Sequence, residues 1–166
     1  MEQSKERTMQ IQEVVKQLED GLNGLRKFAH VEAPVLSRAY APGKWNGFQI
    51  IGHIADSDLV LYYRFLKAVS EEGAPIVPFD QDRWASELSY TERPLPVSLA
   101  TIAAVRLGFI HHVSTLPVAM LQRKAFHPER GELTALAIAE HAGDHALHHL
   151  EQLEAIREGK TWSPKR

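Results

Sequence analysis

The chain of 166 residues contains no cysteine. A disulfide framework, a thiolate zinc site and a protein-borne thiol nucleophile are therefore excluded, and any chemistry must use histidine, carboxylate, hydroxyl or a bound group. Basic surplus is also missing: 19 Lys and Arg stand against 21 Asp and Glu, a formal net charge of -2. That balance offers little to neutralise a phosphate backbone, so no nucleic-acid partner is expected. No run approaches the roughly 18 apolar residues of a spanning helix, so no membrane partner is expected either. The opening MEQSKERTMQ has no signal-peptide apolar core, and a cytoplasmic location is the expectation. Strand-like alternation is nowhere sustained, and internal repeats and low-complexity tracts are lacking.

What is present reads as one soluble globular domain over 1–166, with 44% hydrophobic and 24% charged residues. Ile11, Val14, Val15, Leu18, Leu22 and Leu25 recur at three- and four-residue steps, which predicts an amphipathic helix over about 6–30, ended or kinked by Pro34. Pro42 and Gly43 punctuate the chain before a second helix from Trp45 to about Val69. Gly73, Pro75 and Pro78 open an irregular stretch to about Pro96, with a short helical piece near Asp82 to Leu88. A third helix is expected from Val97 to Leu116, stopped by Pro117, and a fourth from Thr134 to about Gly159 after a link carrying Pro128 and Gly131. Four such helices joined by two long crossovers describe an all-α four-helix bundle.

Four of the nine histidines crowd into EHAGDHALHHLEQ, at His141, His145, His148 and His149. At about 100° per residue, His141, His145 and His149 form one row with Ile138 and Gln152, Asp144 and Glu151 lie elsewhere, and Ala139, Ala146 and Leu150 make an apolar face. An HxxxH step sets two imidazoles one turn apart, close enough to share a metal ion, and the row offers two overlapping pairs, 141/145 and 145/149. Imidazole suits a transition ion rather than Mg or Ca. The best third ligand is His53, which lies in a polar row on the second helix with Asn46, Gln49, Ser57 and Arg64. HxxxH alone is a weak motif, and the same composition fits a solvated helix face. His111, His112, His127 and His30 read as structural or incidental.

The stretches GKWNGFQIIGHIADSDLVLYYRF and HPERGELTALAIAEHAGDHALHHLEQL together resemble the DinB-like superfamily and its YfiT-like branch. The shared marks are a histidine on the second helix with an acid three positions on, here His53 and Asp56, and a late H-x-x-H-H-L-x-Q, here His145, His148, His149, Leu150 and Gln152. The resemblance implies a four-helix bundle holding one divalent ion, Zn2+ or Ni2+, through His53, His145 and His149, and a homodimer in many members. His141 then becomes a neighbour one turn away. Family members include bacillithiol- and mycothiol-dependent transferases and isomerases, proteins named as metal-dependent hydrolases, and DNA-damage-inducible proteins of unknown activity, so the resemblance defines the site better than the substrate.

Three neutral histidines leave an open coordination position, the arrangement of a catalytic metal. Together with the thiol-dependent members of the family it resembles, this makes the leading expectation a metal-dependent S-transferase that takes a small-molecule substrate and a low-molecular-weight thiol. A hydrolase and a non-catalytic metal-binding or dimerisation module are the alternatives. Asp56 is expected either to accept an N–H from a ligating ring or to carry a proton, and Gln152 to orient a ligand by hydrogen bonding.

Overall fold

The computed structural model describes residues 2–164, with side chains from residue 5. In chain order the helices are α1 (Glu2–Arg26), α2 (Ala33–Leu36), α3 (Gly47–Ser70), α4 (Gln81–Glu87), α5 (Leu95–Thr115), α6 (Val118–Leu121) and α7 (Ala135–Glu158). Three short strands, β1 (Ala74–Pro75), β2 (Lys124–His127) and β3 (Gly131–Thr134), lie between them. The first expected helix stops earlier than its periodicity suggests. It tightens into a 3-10 turn over Lys27–His30, and Pro34 opens α2 instead of ending α1. Proline is tolerated there because a first-turn N–H has no helical partner to lose. Pro96 occupies the same kind of position in α5, which therefore begins two residues before Val97.

The two helices that matter most to the site have well-defined ends. Asn46 caps α3 reciprocally: its side chain accepts from the Gln49 N–H at 3.0 Å, and the Gln49 side chain accepts from the Asn46 N–H at 3.0 Å. Two members of the polar row read from the sequence are thus spent on the helix start. Thr134 caps α7 by accepting from the Ala137 N–H at 3.1 Å. At the other end Gly159 takes φ +68°, and the Lys160 N–H reaches back to the Ala155 carbonyl at 2.8 Å, closing the helix where the sequence placed its stop.

Each long helix packs mainly on two others: α3 on α7 and α5, and α1 on the same two. The ring order α1–α7–α3–α5 makes the α1-to-α3 and α5-to-α7 connections diagonal crossovers. The long 71–94 excursion, by contrast, joins neighbours. That excursion is tied down by the small sheet, in which β1 runs parallel to β2 and β2 antiparallel to β3, with Gly131 at φ +73° in the hairpin turn. Strands of two to four residues are too short to show a period of two, so the sequence carried no sign of them.

Two apolar clusters fill the bundle. One gathers Leu18, Phe65, Phe109 and Leu136, and the other gathers Leu25, Ile50, Ile54 and Leu153. Among the described helices α5 is long and apolar enough to cross a membrane by length and composition. Here, however, it contributes Ile102, Phe109 and a wholly buried Arg106 to the interior of the bundle.

Candidate metal centre

The polar face of α3 meets the histidine row of α7 inside the bundle. His53 is 2% exposed and His149 8% exposed, and His145, placed between them in space, is partly exposed. The Nε2 atoms of His53 and His145 are 3.0 Å apart, and those of His149 and His145 are 3.1 Å apart. Among the described residues, these three form the one group of histidine, aspartate or glutamate side chains with ligand atoms close enough to hold a metal ion, all within 4.8 Å of one another. Tetrahedral bonds of about 2.0–2.1 Å would place ligand nitrogens about 3.3 Å apart, so the spacing fits a small transition cation.

Proton bookkeeping supports the same fit. The Gln152 carbonyl oxygen can only accept, so the 2.8 Å contact with His149 Nδ1 places the proton on Nδ1 and leaves the Nε2 lone pair facing the cluster. A single proton on His145 Nε2 serves only one of its two neighbours. A cation serves all three lone pairs together. Burial lowers the pKa of His53 to about 3, helped by His149 and opposed by Asp56. It lowers His149 to about 4, against the pull of the Gln152 hydrogen bond. His145 is depressed in the same direction, by burial first and then by the neighbouring histidines. The three imidazoles are thus neutral, the form a metal requires of its ligands. His145 Nδ1 is buried without a hydrogen-bond partner, an unsatisfied group that the site tolerates.

The remaining expected residues have other surroundings. Both carboxylate oxygens of Asp56 are taken by Arg93, at 2.7 and 2.9 Å, which leaves the aspartate paired with the 71–94 excursion. Gln152 contacts His149 and, more loosely, His148 at 3.4 Å. His148 packs its ring on Trp162, and His141 stands with its ring centroid 6.0 Å from that of His145, outside the group of three. Trp45 lies against His53 with centroids 4.8 Å apart, which covers one side of the centre. His112 pairs with the Tyr62 hydroxyl at 2.9 Å, and His127 Nδ1 accepts from the Glu129 N–H at 3.2 Å, so both are engaged structurally.

Sequence reasoning missed Arg93 and Arg106. Arg106 on α5 is fully buried, binds Asp58 through Nε and Nη2 at 2.7 and 2.9 Å, and donates from Nη2 to the Ala142 carbonyl of α7 at 2.8 Å. A D-x-D pair on α3, Asp56 and Asp58, was the available hint that buried cations face this helix.

On the other side, Ser57 and His145 form part of the wall of a cavity of about 480 Å3 between α3, α7 and the segments around 76–81 and 127–130. A partly apolar cavity of this size with a few polar groups on its wall is the usual form of a small-molecule site.

Comparison with known proteins agrees with this architecture. Residues 17–153 match the model of the DinB superfamily. The chain belongs to the DinB superfamily. It is 29% identical over 149 residues to a Bacillus mycoides (strain KBAB4) protein provisionally named a metal-dependent hydrolase, covering 89% of this chain and 86% of that one. A Bacillus cereus (strain B4264) protein with the same kind of name is 29% identical over 150 residues, with the same coverage. Among solved structures, YfiT from Bacillus subtilis, a four-helix bundle of unusual topology, superposes with a TM-score of 0.82 at 23% identity. The match covers 91% of this chain and 89% of YfiT and shows the shared fold.

Proposed function

We propose that the chain is a metal-dependent enzyme for a small-molecule substrate, in which His53, His145 and His149 hold one divalent transition ion, Zn2+ or Ni2+, and a low-molecular-weight thiol is the nucleophile. The observation that carries this reading is the convergence of three imidazole Nε2 atoms in a cluster whose member His145 lines a ligand-sized cavity. A divalent cation there supplies Lewis acidity, lowering the pKa of a thiol or water that reaches it. The chain's own residues supply the setting. Gln152 holds the His149 ring with its lone pair inward, Trp45 shields His53 from one side, and Ser57 and His145 face the cavity.

Thiol transfer is favoured over hydrolysis by the state of Asp56, the carboxylate three residues from His53. Held by both arms of Arg93, it is not free to deliver the proton that the departing group of a hydrolysed ester or amide takes up. A thiolate that displaces a group stable as an anion needs no such carrier. The names of the relatives favour the second reading, a metal-dependent hydrolase.

One assay separates the two. Metal-loaded protein is incubated with monochlorobimane and a panel of small thiols, and in parallel with ester, amide and phosphoester substrates. Thiol conjugation that requires metal and disappears in His145→Ala is the expected result. Hydrolysis with no thiol present selects the second reading, and turnover of neither kind overturns both.

A further inference from the structure

The cavity beside the histidine centre has a second polar end that the metal reading does not use. Arg64 of α3 and Arg130 of the β2–β3 hairpin both line it. Arg64 is fixed from two sides: its Nη2 donates to the Val77 carbonyl at 2.7 Å, and its guanidinium carbon lies 5.7 Å from the Phe79 ring centroid. Its Nε is buried with no hydrogen-bond partner. Neither arginine forms an ion pair among the described residues. Two acids also reach the cavity, Asp80 and Glu129. Asp80 is occupied in capping α4 through the Arg83 N–H at 3.0 Å, and Glu129 is exposed on the hairpin. Arg64 is held below the ordinary arginine value by burial and then by the charge of Arg130. A held, half-buried guanidinium with a free N–H and a second cation facing it make a receptor for an oxyanion.

We propose that the cavity takes an elongated anionic substrate whose carboxylate or phosphate group is held by Arg64 and Arg130 while its reacting end meets His53, His145 and His149. The proposal rests on the metal-centre reading for the reacting end only. Arg64 follows Ser57 by seven residues, about 10 Å of helix at 1.5 Å per residue, so the two ends of the ligand are several bonds apart. Leu61 and Ile138 line the same cavity and suit an apolar middle. The arginines thereby set substrate selection, and the histidines set the chemistry.

The test uses the full chain, both metal-loaded and chelator-treated, titrated by calorimetry and amide NMR with glutarate, inorganic phosphate and neutral glutaramide. Both forms of the protein should bind at least one of the anions, more weakly as salt rises, with shifts around Arg64 and Arg130 and none from glutaramide. The stronger of the two anions identifies carboxylate or phosphate as the preferred group. Arg64→Gln and Arg130→Gln should each weaken binding about tenfold or more while metal content stays at the wild-type level. Arg130 lies on an exposed hairpin, so its variant tests the idea even if Arg64→Gln disturbs the fold. Glutaramide binding as tightly as the anions, or wild-type affinity in Arg130→Gln together with wild-type affinity in a folded Arg64→Gln, would overturn the proposal. So would anion binding seen only in the metal-loaded protein, because the anion would then be a metal ligand. Should the chain hold no metal at all, the chelator-treated arm still reads the arginine site, so the two readings fail separately.

Discussion

At Asp58 and Arg106 the bundle buries opposite charges that satisfy one another, whereas about a turn away on α3 and α7 it buries three imidazoles with no counter-charge of their own. Both centres are polar and lie largely inside the bundle. The first is charge-compensated within itself: two hydrogen bonds join the pair and a third ties Arg106 to the α7 backbone at Ala142, leaving Arg106 Nη1 buried without a partner among the described residues. The second consists of inward-facing lone pairs, and only a cation or shared protons complete it. A self-compensated pair holds helices in place, whereas an uncompensated cluster of ligand atoms on the same helices has the form of a site that takes up an ion. On the reading proposed above, that difference separates a centre that serves the fold from one that serves function.

The largest expected effect breaks the charge-compensated centre. Asp58→Ala or Arg106→Ala leaves a buried charge alone and should cost about 3–5 kcal/mol in denaturant unfolding, whereas the paired Asp58→Leu/Arg106→Leu change should recover much of that loss. If either single variant is nearly neutral, the pair is not the helix tie described here.

Next comes the ligand cluster. In chelator-treated protein His145→Ala should fold with a melting temperature close to wild type, because it removes a buried group whose Nδ1 has no partner. With metal at about 1,000 times its Kd, the wild type alone should gain about 4 kcal/mol. An equal gain in the variant would contradict the assignment.

The pH response sharpens the contrast, because the two centres titrate in opposite senses. Burial raises Asp58 from 3.8 to about 6, outweighing the attraction of Arg106. Between those values the folded chain holds a proton that the unfolded chain lacks, so this group adds stability as pH falls and loses it as pH rises through about 6. For His53 and His149 the unfolded chain takes up protons near 6.5 and the folded cluster only at about 3 and 4. Their contribution is therefore present above 6.5 and lost on acidification. Metal-free protein should lose stability from pH 6.5 to 4. The loss should be shallower in His53→Ala and steeper in Asp58→Asn, by about 1.4 kcal/mol per pH unit for each group removed. Parallel curves in all three proteins would show that neither centre titrates as described.

The smallest effect is expected at the rim. Arg93→Gln should cost about 1 kcal/mol and leave metal content unchanged, since Arg93 touches Asp56 and not the histidines. Metal loss in this variant would mean that Asp56 supports the centre directly.

Much of the scaffold was legible in the chain because its signals are local. The apolar steps from Ile11 to Leu25 drew α1, Thr134 and Gly159 bracketed α7, and Pro117 ended α5. The histidine row was equally visible, yet helical spacing left 141/145 and 145/149 as equal pairs. The resemblance to the DinB-like superfamily pointed to 145/149, and in the folded chain α3 brings His53 beside those two. What was hidden depends on distant partners. Arg93 meets Asp56 across 37 residues and Arg106 meets Asp58 across 48, and no periodicity records such pairings. Arg64 was visible as a polar residue on the right face of the second helix. Its companion Arg130 sits in a hairpin whose strands are too short to announce themselves.

The most direct test is the metal content per chain of purified protein equilibrated with Zn2+ or Ni2+ and then desalted. The wild type and Asp58→Asn should each retain about one ion per chain, and His53→Ala, His145→Ala and His149→Ala should each retain far less. A wild type that holds no ion, or three histidine variants that keep it, would contradict a metal centre built from these residues.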